Sequence, residues 1–329
     1  MDVDSGSKVD RKIRSAVVVN PAKVGNVDEL REAVNDALSK VGWPAPQWFE
    51  TRPDDPGRGQ ARQAVEAGAE VVFVCGGDGT VMSAVSALVG TDTAMAILPA
   101  GTGNLLAVNL GLSTDLAAGI EVAIEGGLRR IDVGAVDDRY FVVMAGMGFD
   151  ADMLAATSEK AKARIGWPAY VLGAVRHLRD RPMRVSIRID DGEPMRRRAR
   201  SVLVANVGRL PGGVRLLTDA QPDDGLVDIA ILTPHSLARW AAMAWAVIRR
   251  RSRVPSMEVF RGRRVEVRSE RPQPRQLDGD LIEAGRRLSV EIVPKALWLC
   301  VAQPAGHPDL AEDAEAVARR GARLIERDA

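Results

Sequence analysis

The stretch that decides the fold is Val71-Val72-Phe73-Val74-Cys75-Gly76-Gly77-Asp78-Gly79-Thr80, within a chain of 329 residues. Its apolar, mostly β-branched first half is typical of a strand that is buried on both faces. The glycines that follow let the backbone turn tightly and bring its N–H groups close to phosphate oxygens. A helix predicted over residues 81–89 would add the positive end of its dipole at the same place. The stretch therefore predicts a parallel α/β unit with a phosphate-binding turn; the alternative is a plain strand-to-helix turn with an acidic cap.

Strands and helices alternate on both sides of this stretch. Strands are predicted at 16–19, 47–51 and 94–98, and helices at 27–40, with Asn26 as the cap, and at 59–67. Such alternation implies parallel strands that are joined by right-handed crossovers. We therefore expect an N-terminal α/β domain that is Rossmann-like, with a parallel sheet.

The pattern changes near residue 130. Strands are predicted at 131–136, 140–144, 184–189, 201–207, 227–232, 264–268 and 288–292, and helical insertions at about 152–179 and 236–250. This half is therefore mainly antiparallel β. The expected divisions are a disordered lead-in at 1–14, a nucleotide-binding domain at 15–130 and a substrate domain at 131–295. Residues 296–329 would form a strand at 296–301 that returns to the first domain, followed by a C-terminal surface helix.

Composition excludes several classes of protein. The 45 Lys and Arg residues nearly balance the 44 Asp and Glu residues, whereas nucleic-acid binders usually carry a basic excess. Both cysteines, Cys75 and Cys300, lie in apolar stretches, as reduced thiols of a cytosolic protein do. No apolar run reaches the roughly 18 to 20 residues that span a bilayer, and the N-terminal segment lacks the apolar core of a secretory signal. We expect a cytoplasmic protein that does not bind nucleic acid.

A second glycine-rich loop, Pro99-Ala100-Gly101-Thr102-Gly103-Asn104, follows the strand at 94–98. The carboxyl ends of neighbouring parallel strands share one edge of the sheet, where open α/β sheets bind ligands. Asn20 and Lys23 leave the first strand at that edge, and Thr51 follows the second. Singly, Asn20 or Thr51 is better explained as a turn residue. Together these groups predict a nucleotide site.

Two acidic segments are candidate sites of chemistry. Leu277-Asp278-Gly279-Asp280 is a common β-turn sequence, but an aspartate there could also accept a proton from a substrate hydroxyl during phosphoryl transfer. The segment Asp219-Ala220-Gln221-Pro222-Asp223-Asp224-Gly225 is either a solvated acidic turn or a loop that holds a hard cation through oxygen ligands.

From about residue 16 to residue 301 the chain resembles the diacylglycerol kinase catalytic-domain family, which also includes sphingosine and ceramide kinases. The resemblance lies in an ordered set of motifs rather than in any one of them. They are Val-Val-Asn-Pro at 18–21, Gly-Gly-Asp-Gly-Thr at 76–80, Pro-Ala-Gly-Thr-Gly-Asn at 99–104, Ala-Gly-Met-Gly-Phe-Asp-Ala at 145–151, the acidic loop at 219–225 and Leu-Asp-Gly-Asp at 277–280.

The resemblance implies an ATP-dependent lipid kinase, most simply one that converts diacylglycerol to phosphatidic acid. It implies a second domain of β-sandwich type, an active site in the interdomain cleft, and ATP and Mg²⁺ as cofactors. Asp278 would be the general base, with Asp280 beside it, and Asp78 would belong to the network that organises magnesium and phosphates. Residues that would bind ATP are Asn20, Lys23, Thr51, Gly76, Gly77, Asp78, Gly79, Thr80, Val81, Met82, Gly101, Thr102, Gly103 and Asn104. A structural magnesium site would use Asp219, the carbonyl of Pro222, and Asp224.

This chain departs from the family pattern at two points. The family usually has Asp-Gly-Glu where this chain has Asp278-Gly279-Asp280, which makes the role of Asp280 less secure than that of Asp278. The first loop usually continues Asn-Pro with Ser-Gly and one more residue, so the alignment of Lys23 is blurred.

A lipid substrate requires apolar surface near the cleft or transient contact with a membrane. The segment 236–250 places an apolar set at helical spacing, followed by Arg249, Arg250, Arg251 and Arg253; the set comprises Leu237, Trp240, Ala241, Ala244, Trp245 and Ile248. Such a helix suits weak, reversible binding to the inner face of an anionic membrane, although a helix that packs on the second domain, with its arginines in solvent, is the more common arrangement. A homodimer is also open.

Two other functions compete with lipid phosphorylation. NAD kinases share a Gly-Gly-Asp-Gly loop and a similar architecture, but they have an Asn-Glu or Asn-Asp pair downstream. Here Asn104, Asn109 and Asn206 are all followed by apolar residues. A lipid- or nucleotide-binding protein that has lost catalysis should lack the base or the phosphate loop, and this chain keeps both.

Overall fold

The computed structural model describes residues 12–101, 104–112, 115–148, 182–208, 216–217, 220–249 and 254–302. The predictions for residues 1–11 of the lead-in, for the helix at 152–179 and for the C-terminal surface helix lie outside these residues. Within them, no helix is long and apolar enough to cross a bilayer.

The N-terminal half is a parallel sheet with helices between its strands, as the sequence predicts. Its elements are β1 (Ser15–Val19), α1 (Val27–Lys40), β2 (Gln47–Glu50), α2 (Arg58–Glu66), β3 (Val71–Gly76), α3 (Asp78–Leu88) and β4 (Ala94–Pro99). The strand order is β4-β3-β1-β2, and every pair is parallel. The side chain of Asn26 accepts hydrogen bonds from the N–H groups of Asp28 and Glu29, so the predicted cap is confirmed.

Helix α3 begins three residues earlier than the sequence predicts. Gly77 is its N-cap, and the carbonyl of Gly77 accepts the N–H groups of Thr80 (3.0 Å) and Val81 (3.1 Å). The glycine-rich segment is therefore the first turn of the helix rather than a loop before it. Two further helices, α4 (Leu105–Asn109) and α5 (Leu116–Glu125), were not predicted, although Asp115 caps α5 by accepting the N–H of Ala118 at 3.0 Å.

The second half is a two-layered, mainly antiparallel assembly. Its elements are β5 (Gly127–Val136), β6 (Arg139–Phe141), β7 (Met144–Gly148), β8 (Met183–Ile189), β9 (Met195–Ala199), β10 (Ser201–Ala205), β11 (Val227–Leu232), α6 (Leu237–Ile248), β12 (Met257–Gly262), β13 (Arg264–Leu277) and β14 (Asp280–Val301). The strands are hydrogen-bonded in the order β12-β11-β10-β7-β13-β14, and beside this path β13 also pairs with β8, β8 with β9, β14 with β5 and β5 with β6. A separate apolar core joins the layers and includes Ile187, Val204, Ile229, Val267 and Leu288.

The predicted strand at 140–144 is wrong, because β6 ends at Phe141 and β7 begins at Met144. The backbone N–H groups of Val142, Val143 and Met144 turn instead towards the carboxylate of Asp278. The gap between the two strands is therefore made by a side chain that lies far away in sequence.

The short strands predicted at 264–268, 288–292 and 296–301 are parts of two long ones, β13 and β14. Register shifts interrupt the alternation of buried and exposed residues in both strands. The alternating sequence pattern therefore ends at each shift, although the strand itself continues. The shift in β14 lies between Val293 and Leu297 and contains Lys295, which has a positive φ of 48°.

Strand β14 belongs to both halves of the molecule. Its first part pairs with β13, and its last part pairs in parallel with β4 through Trp298 and Leu299. Strand β5 runs antiparallel to β14 on both sides of the register shift. Two adjacent strands, rather than a loop, therefore connect the α/β sheet with the sandwich.

Helix α6 packs through a different face from the one that the sequence suggests. Met243, Ala246 and Val247 are buried, and Trp240 packs against the core, whereas Trp245 is 54% exposed. The proposed apolar stripe is thus divided between the core and solvent.

The crossing part of β14 should carry much of the stability. Leu297→Ala should lower the free energy of unfolding by about 2–5 kcal/mol, because Leu297 is fully buried and its loss leaves a cavity. Urea unfolding measures the change. Leu281→Ala on the same strand is the matched control, because Leu281 is 48% exposed. Equal losses in the two variants would contradict the assigned burial.

Candidate active site

The two glycine-rich loops touch each other at the carboxyl edge of the parallel sheet. A Cβ atom on Gly101 would lie 2.8 Å from the Cα of Gly77, so position 101 has no room for a side chain without movement, whereas a Cβ on Gly77 would meet the Cα of Gly101 only at 3.9 Å. The N–H of Ala100 donates to the carbonyl of Gly76 at 3.1 Å. Asn104, in the left-handed conformation, accepts the N–H of Gly101 at 3.2 Å and donates to its carbonyl at 2.7 Å. The result is a backbone-lined cradle of the kind that phosphates occupy.

The first strand supplies polar groups to the same edge. The Nδ2 of Asn20 donates to the Oγ1 of Thr80 at 3.1 Å, and its backbone N–H donates to the carbonyl of Cys75 at 2.8 Å. The Cε of Lys23 lies 4.0 Å from the place that a Cβ would take on Gly77. Asn20, Lys23 and Thr80 are thus brought together around the first glycine loop.

The other predicted nucleotide residues are placed less directly. The N–H of Thr51 donates to the carbonyl of Val19 at 2.8 Å, which puts Thr51 at the same sheet edge. The side chain of Val81 is buried and that of Met82 packs on the core, so these residues can offer backbone groups rather than side chains. Thr102 and Gly103 lie outside the described residues.

Asp278 lies at the tip of the β13–β14 hairpin. Leu277 pairs with Asp280, and Asp278 and Gly279 have φ values of 48° and 92°, as a two-residue turn with two positive φ angles requires. The β-turn interpretation of this sequence is therefore correct. It does not exclude a functional role, because the aspartate side chain points inwards and the residue is only 7% exposed.

The carboxylate of Asp278 is held by three backbone donors. Its Oδ2 accepts the N–H of Val142 at 2.7 Å, and its Oδ1 accepts those of Val143 at 2.9 Å and Met144 at 2.7 Å. Burial raises the pKa of Asp278 to about 7; the charge of Asp280 also raises it, while the three N–H bonds oppose the shift. A carboxyl group with a pKa near neutrality is well matched to accepting a proton at physiological pH.

The segment that holds Asp278 lies next to the phosphate cradle's helix. Helix α3 contacts β6, and residues 142–144 follow β6 directly. Helix α3 also contacts β14, and the N–H of Gly90, just after α3, donates to the carbonyl of Ala296 in the crossing part of that strand at 2.8 Å. Asp280 itself is exposed, and Asp78 is half-buried in the first turn of α3. That Asp278 lies within reach of a bound γ-phosphate stays a prediction.

The acidic loop is already occupied by protein partners. The carbonyl of Pro222 accepts the N–H of Asp132 at 2.7 Å, and Asp224 forms an ion pair with Arg261. Arg129 donates to Asp223 from Nε at 3.0 Å and from Nη2 at 2.8 Å. Asp219 lies outside the described residues, and among the described ones no group of His, Cys, Asp or Glu is arranged for a metal ion. Protein partners therefore take up part of the ligand capacity of Pro222 and Asp224, and the magnesium site stays a prediction.

Two buried polar residues near the site were not predicted. Asp132, fully buried in β5, accepts the N–H groups of Gly225 and Lys295, each at 2.6 Å, and burial raises its pKa. Asn206 follows β10 and binds the carbonyls of Asp132 and Val142. Their only sequence signal is a polar residue inside or just after an apolar run.

Comparison with known proteins decides the family. Residues 14–136 match the diacylglycerol kinase catalytic domain, and residues 142–301 match the YegS C-terminal NAD kinase beta sandwich-like domain. A protein of Chromohalobacter salexigens named "Probable lipid kinase YegS-like" is 31% identical over 85% of this chain and 88% of its own. The chain belongs to the diacylglycerol kinase family. It is a lipid kinase.

Other relatives of this lipid kinase agree. A Pseudomonas aeruginosa protein with the same printed name is 30% identical over 92% of this chain and 98% of its own. The fold matches a solved diacylglycerol kinase from Bacillus anthracis with a TM-score of 0.66 at 17% identity, over 87% of this chain and 96% of that one. The predicted α/β and sandwich architecture is confirmed, and family membership favours lipid phosphorylation over the NAD kinase alternative.

The contact between the two glycine-rich loops predicts that a side chain at position 101 weakens nucleotide binding. Gly101→Ala should weaken nucleotide binding at least about tenfold, because the new Cβ would lie 2.8 Å from the Cα of Gly77 and push the two glycine-rich loops apart. Binding of a fluorescent ATP analogue measures the effect. Gly25→Ala is the control, since a Cβ there meets no atom within 4 Å. Unchanged binding by the Gly101 variant would show that the cradle does not hold the nucleotide.

Proposed function

We propose that this lipid kinase transfers the γ-phosphate of ATP to the hydroxyl of diacylglycerol, with Asp278 as the general base. The observation that carries the proposal is the buried carboxylate of Asp278, which backbone donors fix beside the segment that contacts α3. A fixed carboxylate with a near-neutral pKa is the group that this reaction requires.

The glycine cradle is the part of the site that would hold ATP. Its backbone N–H groups and the amino end of α3 favour the phosphate oxygens, and Lys23 supplies a positive charge beside Gly77. Asp78 lies in the first turn of α3, and we assign it to the network that would organise magnesium and phosphates. When bound, Mg²⁺ would neutralise charge on the phosphate oxygens.

The chemical step is a proton transfer coupled to phosphoryl transfer. The acceptor hydroxyl gives its proton to a carboxylate oxygen of Asp278 as its oxygen bonds to the γ-phosphorus, and the bond from that phosphorus to the β,γ-bridging oxygen breaks. ADP leaves with the bond electrons. The hydrogen bonds that the N–H groups of Val142, Val143 and Met144 donate prevent the carboxylate from rotating away from the acceptor. Such positioning accounts for a large share of catalysis in phosphoryl transfer.

Diacylglycerol is the proposed acceptor because it combines a primary hydroxyl with an apolar body. A Staphylococcus saprophyticus relative, 28% identical over 225 residues, is named diacylglycerol kinase. The direct test is to incubate the protein with labelled ATP and a total lipid extract and to identify the labelled product. Labelled phosphatidic acid supports the proposal. A different labelled lipid would show that the acceptor is not diacylglycerol but that the protein still transfers phosphate from ATP to a lipid.

Replacement of the proposed base separates catalysis from folding. Asp278→Asn should reduce transfer by about 100- to 10,000-fold, because an amide cannot take the proton, yet asparagine tolerates the same backbone conformation. The rate with saturating ATP and lipid acceptor measures this loss. ATP binding should change little, but the melting temperature should fall, because the amide Nδ2 would face the N–H of Val142 in place of Oδ2 and both groups are donors; the rate is therefore expressed per folded molecule.

Asp190→Asn is the matched control for Asp278→Asn. Asp190 also has a positive φ of 50° in a hairpin turn, and its Oδ1 accepts the N–H groups of Arg263 and Arg264 at 2.8 Å each. The Asp190→Asn variant should keep full activity.

The wild-type rate should rise with pH through about 7, because only ionised Asp278 accepts a proton. Full transfer by the Asp278 variant would exclude it as the base.

We also infer weak, reversible contact with an anionic membrane through α6. Trp245 projects into solvent, and the guanidinium of Arg249 lies 4.6 Å from the centre of its ring. An exposed tryptophan beside a cation suits the interface of an anionic bilayer. Arg250, Arg251 and Arg253, which would add positive charge, lie outside the described residues.

Vesicle binding tests the contact. At low salt, vesicles that contain an anionic phospholipid should sediment a fraction of the wild-type protein, and Trp245→Ala should sediment several-fold less, because it loses the exposed ring. Val41→Ala, at another exposed apolar position, is the control and should bind as wild type does. If all the wild-type protein stays in solution, the inferred contact is wrong.

A further inference from the structure

Asn206 lies behind the segment that holds Asp278. It follows β10 and is 1% exposed. Its Nδ2 donates to the carbonyls of Asp132 at 2.9 Å and Val142 at 3.0 Å, which uses both of its amide hydrogens. The orientation of the amide is fixed by chemistry, because a carbonyl can only accept. Its Oδ1 is buried and finds no donor among the described residues, so the amide is held by its NH₂ group.

The hydrogen bonds of Asn206 continue through two peptide groups to Asp278. The carbonyl of Val142, which Nδ2 of Asn206 binds, shares a peptide group with the N–H of Val143, and that N–H donates to Oδ1 of Asp278 at 2.9 Å. The backbone N–H of Asn206 donates to the carbonyl of Val143 at 2.9 Å, and this carbonyl shares a peptide group with the N–H of Met144. That N–H also donates to Oδ1, at 2.7 Å. Asn206 therefore binds the carbonyls of both peptide groups whose N–H groups donate to Oδ1 of Asp278.

Such an arrangement has two physical consequences. A hydrogen bond to the carbonyl restricts rotation of the peptide plane, so the N–H on the other side of that plane stays directed at Oδ1. A peptide group that accepts a hydrogen bond at its carbonyl is also polarised and becomes a better donor. Without these donors, a buried carboxylate loses part of the interaction that compensates its desolvation.

We propose that Asn206 is a positioning residue for Asp278, which orients and polarises the peptide groups that hold the catalytic carboxylate. This rests on the proposed role of Asp278 as general base. Asn206 does not touch the substrate; it acts through residues 142–144. Its second bond, to the carbonyl of Asp132, ties the same segment to β5, whose Asp132 carboxylate binds Lys295 in the crossing part of β14. Hydrogen bonds thus connect residues 142–144, which hold Asp278, with the two strands that join the domains.

A purely structural role is the alternative, since any buried asparagine that satisfies two carbonyls contributes to stability. The two roles differ in what they change. A structural residue lowers the melting temperature and the amount of active protein, whereas a positioning residue lowers kcat per folded molecule and leaves the KM for ATP unaltered. It also loosens one particular set of amides, those of residues 142–144.

The experiment compares Asn206→Ala and Asn206→Ser with wild type, by kinetics and by hydrogen exchange. Asn206→Ala should lower kcat by about 100-fold, as misplacement of a catalytic group by about 1 Å does, with an unchanged KM for ATP. The amide of Val143, whose peptide group loses the bond from Nδ2, should exchange at least about tenfold faster, while the bond from the backbone N–H of residue 206 to the carbonyl of Val143 is kept in both variants. Asn206→Ser, whose hydroxyl restores one donor, should recover part of kcat and part of the protection.

Thr93→Val is the matched control. Thr93 is also buried, and its hydroxyl donates to the carbonyl of Ala69 at 2.9 Å. It lies just before β4, at the sheet edge away from the glycine loops. It should lose a comparable amount of stability while kcat, KM and the exchange of residues 142–144 stay as in wild type. If Asn206→Ala does not fold, the comparison of Asn206→Ser with Thr93→Val decides the question.

The outcomes separate this inference from the proposed function. Unchanged exchange at residues 142–144, or a kcat no lower than that of Thr93→Val, would overturn the inference. Faster exchange with unchanged kcat would also overturn it, and if Asp278→Asn then retains transfer, the assignment of the base fails as well. If Asp278→Asn abolishes transfer while the Asn206 variants remain fully active, the base stands and only the positioning role is lost.

Discussion

The structure depends on the pairing of β5 with β14, because these two strands are common to both halves of the molecule. A single layer of hydrogen bonds runs from the parallel sheet into the sandwich. At the register shift in β14, the N–H of Lys295 would be left without a strand partner, and the buried carboxylate of Asp132 accepts it. The same carboxylate accepts the N–H of Gly225 and so anchors the acidic loop. The junction is therefore built from strand pairing and one buried acid rather than from a flexible linker.

This junction links the distant segments that the proposed site requires. The glycine loops lie at the carboxyl ends of β3 and β4, and β4 pairs with the last part of β14. Asp278 lies just before the first residue of β14, at the tip of the hairpin. One strand thus begins beside the proposed base and ends beside the strand that leads into the phosphate cradle. Arg129 of β5 and Arg261 of β12 form ion pairs with Asp223 and Asp224 of the acidic loop, and so compensate carboxylates that would otherwise repel one another.

Much of this arrangement could be predicted from sequence, for clear physical reasons. A strand that is buried on both faces must be a continuous apolar run, so β1, β3 and β4 were placed to within a residue. Long strands with register shifts lose their alternation, so β14 was predicted as two separate strands. The contact between Asn206 and residue 142 spans 64 positions and leaves no local pattern. The motifs of the site were legible because backbone conformation demands glycine or aspartate there, whereas the residues that hold them in place are selected only by three-dimensional contact.

The tip of the β13–β14 hairpin narrows the choice of residue at position 278 from two directions at once. The left-handed backbone angle there admits glycine, asparagine and aspartate far more readily than other amino acids. Of these three, glycine has no functional group and asparagine has no basic oxygen. Glutamate could exchange a proton, but it lacks the short side chain that suits this backbone conformation. Aspartate alone satisfies geometry and chemistry together, so this position should be among the least tolerant of exchange in the whole chain.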